Sequence, residues 1–262
     1  MNNMSDLVLI ERDGTSAIVR MNRPEKQNAL SRELFEAIDR AIAQLDDDPA
    51  VRGIVLTGSD QVFSTGGDLK EALAIGSVED TRKWLDLFRR VNARIEAIGK
   101  PVVAAIHGYC VTGGLEMALA CDIRIAAANA QFGITSSRIG TVAGAGGTQR
   151  LTRLIGSEWT KELLFSGDFI DAETALRIRL VSEVVPPERV IPRALERLAS
   201  YARRAPLSIA YAKAAVNNGA EMPLEYALAY ERQLTTTLFT TEDRKEGQRA
   251  FLEKRSPDFK RE

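Results

Sequence analysis

The run Pro101-Val-Val-Ala-Ala-Ile-His-Gly-Tyr-Cys-Val-Thr-Gly-Gly-Leu-Glu-Met-Ala-Leu-Ala-Cys121 decides the reading of the fold. Val102 to Ile106 is a short apolar stretch that reads as a buried strand. Gly113 to Ala120 reads as a short helix, and Asp122 to Ala126 resumes as a second buried strand. The run is long enough to suggest a membrane span, but His107, Thr112, Glu116 and several glycines interrupt it, so it is expected inside a protein core. Strand, helix and strand in succession point to an α/β core.

The same alternation extends toward the N-terminus. Leu7 to Arg12 and Ser16 to Met21 are strand-like and flank Asp13-Gly14, a strong hairpin signal. Leu34, Ile38, Ala41, Ile42 and Leu45 recur at helical spacing, with Pro49 just beyond. Gly53 to Gly58 encloses another buried strand. Trp84, Leu87, Phe88, Val91, Ile95 and Ile98 form a second helical stripe, stopped by Gly99 and Pro101. Beyond about Pro186 the texture changes, and residues 188–203, 206–218, 223–239 and 242–255 all read as helices. No Gly-, Ser- or Pro-rich linker separates the parts. The expected organisation is a core over residues 1–195 and a helical C-terminal extension over 196–262.

Composition excludes several functions. The 262 residues carry a net charge of −1, which argues against a general nucleic-acid binder. One histidine, His107, and two cysteines, Cys110 and Cys121, rule out a multi-histidine metal site and a disulfide scaffold. Met1-Asn-Asn-Met-Ser-Asp6 has no basic region followed by an apolar one, so no secretory signal is visible and a cytoplasmic location is expected. There is no Gly-x-Ser-x-Gly elbow and no Gly-Lys phosphate loop, and Gly144-Ala-Gly-Gly147 follows no clear strand, a weak dinucleotide signal. His107 at the end of a buried strand reads as structural.

Two segments carry possible chemistry. Phe63-Ser-Thr-Gly-Gly-Asp-Leu-Lys70 and His107-Gly-Tyr-Cys-Val-Thr-Gly-Gly-Leu-Glu116 each place glycine where a strand turns into a helix. Such corners leave backbone N–H groups without helical partners. Two of them converging on one oxygen would make an oxyanion hole, although the glycines alone could simply serve tight turns. Glu116 could merely favour the helix dipole. Its apolar neighbours Leu115, Met117, Ala118 and Leu119 should also raise its pKa, which suits proton transfer.

Along almost its whole length the chain resembles the enoyl-CoA hydratase/isomerase (crotonase) superfamily. The resemblance rests on Asn22-Arg-Pro-Glu-Lys-Gln-Asn-Ala-Leu30, Phe63-Ser-Thr-Gly-Gly-Asp68, Lys100-Pro-Val-Val-Ala-Ala-Ile-His-Gly-Tyr109, Cys121-Asp122 and Ala130-Gln-Phe-Gly133. It continues through Gly144-Ala-Gly-Gly-Thr-Gln-Arg-Leu151, Glu242-Asp-Arg-Lys-Glu-Gly247 and Ala250-Phe-Leu-Glu-Lys-Arg255.

The resemblance implies an α/β, crotonase-like spiral of strand–strand–helix turns with a helical C-terminal trimerisation region. It implies homotrimers or hexamers of paired trimers, acyl-CoA thioester substrates, and no metal or redox cofactor beyond the coenzyme A of the substrate. Neither nucleic acid nor membrane is an expected partner. The oxyanion donors map onto the N–H groups of Gly67 and Gly113, and one catalytic glutamate maps onto Glu116. Ala29, Asp68, Leu69 and Ser136 map near the acyl thioester, and Phe251 and Lys254 map near the CoA nucleotide.

One departure matters most. The position of the second catalytic glutamate of the hydratases is Ser136, within Ile134-Thr-Ser-Ser-Arg138. A serine hydroxyl is a poor general acid at neutral pH. Three functions remain open: hydration with Glu116 alone; another reaction of the same oxyanion hole, such as isomerisation, acyl-CoA hydrolysis or dehydration; and a non-catalytic CoA-binding scaffold. Arg179 replaces a common glycine and reads as a helix end without its usual left-handed residue.

Overall fold

The computed structural model describes residues 7–261, and the 1–6 stretch inspected for a signal lies outside them. The chain opens with the expected hairpin, β1 (Val8–Asp13) antiparallel to β2 (Ser16–Met21). Gly14 at its tip takes φ 54°, a conformation that favours glycine. Helix α1 (Arg32–Asp47) follows and buries Leu34, Phe35, Ile38, Ala41, Ile42 and Leu45. Its N-cap Ser31 accepts a hydrogen bond from the Leu34 N–H at 3.3 Å. Ser31→Ala is expected to cost about 1 kcal/mol. Calorimetry should read this as a melting temperature lower by about 2–4 °C.

Three successive turns then repeat one plan. β3 (Gly53–Thr57) and β4 (Val62–Ser64) lead into α2 (Leu69–Leu73) and α3 (Val78–Ala97). β5 (Val102–Ile106) and β6 (Tyr109–Val111) lead into α4 (Gly113–Ala120). β7 (Ile123–Ala127) and β8 (Gln131–Gly133) lead, through a 3-10 turn at Ser136–Ile139, into α5 (Gly147–Ser166). The first strand of every turn joins one sheet, of order β1-β2-β3-β5-β7-β10, where β10 is Glu183–Val185. The second joins another, of order β4-β6-β8-β9, where β9 is Ile170–Asp171. Within each sheet the strands of successive turns pair in parallel. The expected spiral is therefore present.

Helices cover both faces of the six-stranded sheet, which is why its strands read as continuous apolar runs. Ile54, Leu56, Val102, Ala104 and Ile106 face the core shared with α1, α3 and α4. Val55, Val103, Ala105 and Ile125 face the opposite way, onto Val190, Ala194 and Leu198. Those three belong to α7 (Val190–Ala202), a helix that runs across residue 195. After it come α8 (Pro206–Gly219), α9 (Leu224–Leu238) and α10 (Glu242–Leu252). α8 is tied to the core through buried Lys213, whose ammonium donates to the Ile95 carbonyl at 2.8 Å and pairs with Asp122 at 2.9 Å. Among the described residues no helix is long and apolar enough to cross a membrane.

One local expectation is corrected. Arg179 follows α6 (Ala172–Arg177) and itself adopts the left-handed conformation, with φ 66°. The helix end keeps its left-handed residue, and arginine bears a strain of about 1–2 kcal/mol that glycine would not.

Candidate active site

Pairing of β4 with β6 brings their following corners together. Ser64 is in register with Cys110, so the chain leaving β4 toward Gly67 runs beside the chain leaving β6 toward Gly113. The approach is too close for side chains. A Cβ on Gly113 would stand 2.6 Å from Phe88 Cε1 and 3.3 Å from the Gly67 nitrogen. One on Gly66 would stand 3.1 Å from the Gly113 nitrogen. Gly67 bridges Leu30, and the Leu30 N–H and carbonyl bond to the Gly66 carbonyl and Asp68 N–H on either side. The Gly67 N–H therefore faces away from Leu30. Among the described residues, neither the Gly67 nor the Gly113 N–H donates to a protein acceptor.

The residue before Gly113 is strained. Thr112 has φ 44° and ψ −110°, outside the allowed regions for a β-branched residue. Its surroundings hold it there. Its N–H donates to the Gly133 carbonyl at 2.8 Å, and its hydroxyl accepts from the Thr135 N–H at 3.0 Å and meets the Thr135 hydroxyl at 3.1 Å. Strain that the environment over-determines is a mark of functional corners. The same bonds dock the chain after β8 onto the N-terminus of α4. Ser136, buried, is therefore the next residue along from a direct partner of the Gly113 corner.

Glu116 lies three residues after Gly113 on α4, so both share a face and the glutamate leans back toward the helix N-terminus. It is only 2% exposed. Its Oε1 accepts two backbone N–H groups, from Ala145 and Gly147, each at 2.8 Å. Among the described residues Oε2 has no protein partner. Burial raises the carboxyl pKa, while the Gly147 and Ala145 amides and the Arg150 charge pull it partly back.

The donors belong to the Gly144–Gly147 loop, by sequence a weak dinucleotide signal. Its glycines serve Glu116 instead: a Cβ on Gly147 would stand 3.0 Å from Glu116 Oε1. The available signal was a glycine-rich loop opening a helix beside a lone acid on another. Sequence alone could not join two segments 29 residues apart.

The other residues singled out are distributed unevenly. Asp68 caps α2, with Oδ1 accepting from the Lys70 N–H at 2.9 Å and Oδ2 paired with Arg23 at 2.7 Å. Burial alone would raise its pKa, but the Arg23 guanidinium and the capping amides outweigh it and hold the carboxyl below the usual range. Both of its oxygens thus hold the loop. The same Arg23 donates to the Ala29 carbonyl at 2.9 Å, which places Ala29 beside this corner. Leu69 begins α2 and is exposed. Phe251 is exposed at the C-terminal end of α10, and Lys254 is exposed just beyond it. His107 donates to the Pro187 carbonyl at 2.9 Å, which accords with a structural role. Cys110 and Cys121 are buried free thiols, and burial pushes Cys121 up to about 12.

Comparison with known proteins gives the family. The sequence profile of the family described as Enoyl-CoA hydratase/isomerase matches residues 11–262. The chain belongs to the enoyl-CoA hydratase/isomerase family. Its fold is that family's crotonase fold: a crystal structure of enoyl-CoA hydratase from Bacillus anthracis matches with a TM-score of 0.93. The two are 36% identical, covering 98% of this chain and 100% of that one. Short-chain-enoyl-CoA hydratase of Clostridium acetobutylicum is 39% identical over 95% of each chain. The 2,3-dehydroadipyl-CoA hydratase of Escherichia coli K12 is 38% identical over 98% of this chain and 99% of its own.

Proposed function

We propose that the protein is an enoyl-CoA hydratase that adds water to a trans-2-enoyl-CoA with Glu116 as its only acid–base residue. The carrying observation is the adjacency of two unengaged amides, Gly67 and Gly113, to a helix whose Glu116 is held by one oxygen and free at the other. Similarity to named hydratases over nearly the full length supports the reaction class.

The two N–H groups bind the thioester carbonyl and stabilise the charge that builds there as the enolate forms. Glu116 Oε2 takes a proton from water while the water oxygen bonds to C3. The electron pair of the C2–C3 double bond moves into the thioester. Glu116 then returns the proton to C2, the enolate collapses, and the carboxylate is regenerated. Ala29, Asp68, Leu69 and Ser136 line the acyl end in this reading, with Phe251 and Lys254 toward the CoA nucleotide. The α9 helix buries no residue and exposes Leu224, Tyr226 and Leu228, which supports assembly of residues 196–262 into a homotrimer or paired trimers.

A second reading is favoured by the buried hydroxyl of Ser136. A single carboxylate suffices for double-bond isomerisation, where one base removes a proton from C2 and returns it to C4. The two readings separate with purified protein. Loss of the conjugated thioester absorbance of crotonyl-CoA is the expected result. Inert crotonyl-CoA, together with a gain of conjugated absorbance from a 3-enoyl-CoA, would install the isomerase. In that case Ser136→Glu should raise hydration by orders of magnitude. Acyl-CoA binding without turnover of either substrate would leave the scaffold reading.

A further inference from the structure

We propose that Asn92, Glu96 and Arg150 are positioning residues for Glu116, acting through the carbonyl of Ala145. That carbonyl accepts the Asn92 side-chain amide at 3.0 Å and the Arg150 Nη1 at 3.0 Å. Two donors fill both of its lone pairs. The 145–146 peptide lies between the two N–H groups that hold Glu116 Oε1, so pinning its oxygen fixes the direction of both.

The guanidinium is itself locked. Arg150 Nε and Nη2 form a two-pronged pair with Glu96, at 2.6 and 2.9 Å. A planar fork of this kind orients the third nitrogen, which a lysine cannot do. Gly146 leaves room for it: a Cβ there would stand 1.8 Å from Arg150 Nη1.

Local preferences oppose these placements. Arg150 is a cation in the first turn of α5, and Glu96 is an anion in the last turn of α3, so each helix dipole disfavours its charge. Asn92 is buried, and among the described residues its Oδ1 has no partner. A buried amide left half-satisfied costs stability. Local rules broken together around one carbonyl mark a site where position matters more than stability.

The charges around Glu116 are few. Helices α3 and α5 and strands β4 and β6 pack on α4. From α5, Arg150 acts on the carboxyl, and it is neutralised by Glu96 of α3. β6 presents exposed Tyr109 and Cys110, whose thiol burial keeps neutral; β4 carries no titratable residue.

The catalytic consequence rests on the hydratase reading, so the test has two arms. In the full chain, carbon-13 NMR of labelled glutamate follows the Glu116 carboxyl, with Glu116→Gln assigning its signal. Crotonyl-CoA hydration is measured in parallel. Arg150→Gln should move the Glu116 titration to higher pH and lower kcat by about tenfold to a hundredfold, with KM within about twofold. Arg150→Lys keeps the charge and loses the fork, so kcat should fall while the titration stays near wild type. Arg153→Gln, on the same helix as Arg150, breaks an exposed pair with Glu221 and should change neither. Should Arg150→Gln fail to fold, Asn92→Leu carries the same expectation for kcat. A titration in Arg150→Gln that superimposes on wild type, with kcat unchanged and only melting temperature lowered, would overturn the proposal. A wild type inert toward enoyl-CoA sinks the hydratase reading alone, and the titration still decides this one.

Discussion

Glu116→Gln is expected to lower kcat for crotonyl-CoA hydration by about 10²–10⁴-fold, the range for loss of a general acid–base group. The amide preserves the cradle, since its oxygen still accepts the Ala145 and Gly147 N–H groups, but it can neither take the water's proton nor carry it to C2. KM should change little. Stability supplies an independent check. Burial lifts the Glu116 carboxyl above its ordinary value. The stability it contributes is complete below the unfolded-chain value of about 4.3 and is lost as pH rises through the higher folded value. Glutamine has no such dependence. The variant should therefore gain stability relative to wild type at pH 7, with the gap closing as pH falls through the folded value to the unfolded one. The same titration should set the acid limb of wild-type kcat/KM, since water activation needs the carboxylate. A variant as fast as wild type would remove Glu116 from the chemistry.

The second large effect comes from a methyl group. Gly113→Ala keeps the N–H but places a carbon 2.6 Å from Phe88 Cε1 and 3.3 Å from the Gly67 nitrogen. Phe88 has little room to yield, because its ring already packs on Phe35 at 4.2 Å and on Trp84 at 4.8 Å between centroids. The amides must move apart or the carbonyl must sit further out. Loss of one oxyanion donor typically lowers kcat by about 10²–10³-fold. Overpacking adds about 1–3 kcal/mol of destabilisation. Steady-state kinetics beside thermal melting separates the two, because a folded variant with intact kcat would show that the Gly113 amide stabilises no charge.

Much of this was legible in the residues. The fully buried strands announced themselves as apolar runs because both faces of the sheet are covered. The helical stripes of α1 and α3 did so because one face of each is buried in the core. The glycine corners and Glu116 stood out for a different reason: two backbones that approach too closely for side chains, and a carboxylate set among apolar neighbours, both break local rules. The cradle at Ala145 and Gly147 did not stand out, because a main-chain donor leaves no side-chain signature. Nor did the Arg150–Glu96 lock, since a charged residue on a helix ordinarily faces water.

What sequence alone determined, then, is the order of strands and helices, the two strand-to-helix corners and the identity of the acid, all properties of contiguous residues. Only the tertiary structure decided that the corners after β4, β6 and β8 stack on one another, through parallel pairing of residues 22 to 47 positions apart. It also decided that a loop from a later turn of the spiral grips Glu116. The reason is physical: periodicity is written along the chain, whereas register between distant strands is chosen by how their side chains and backbone amides fit when the turns close.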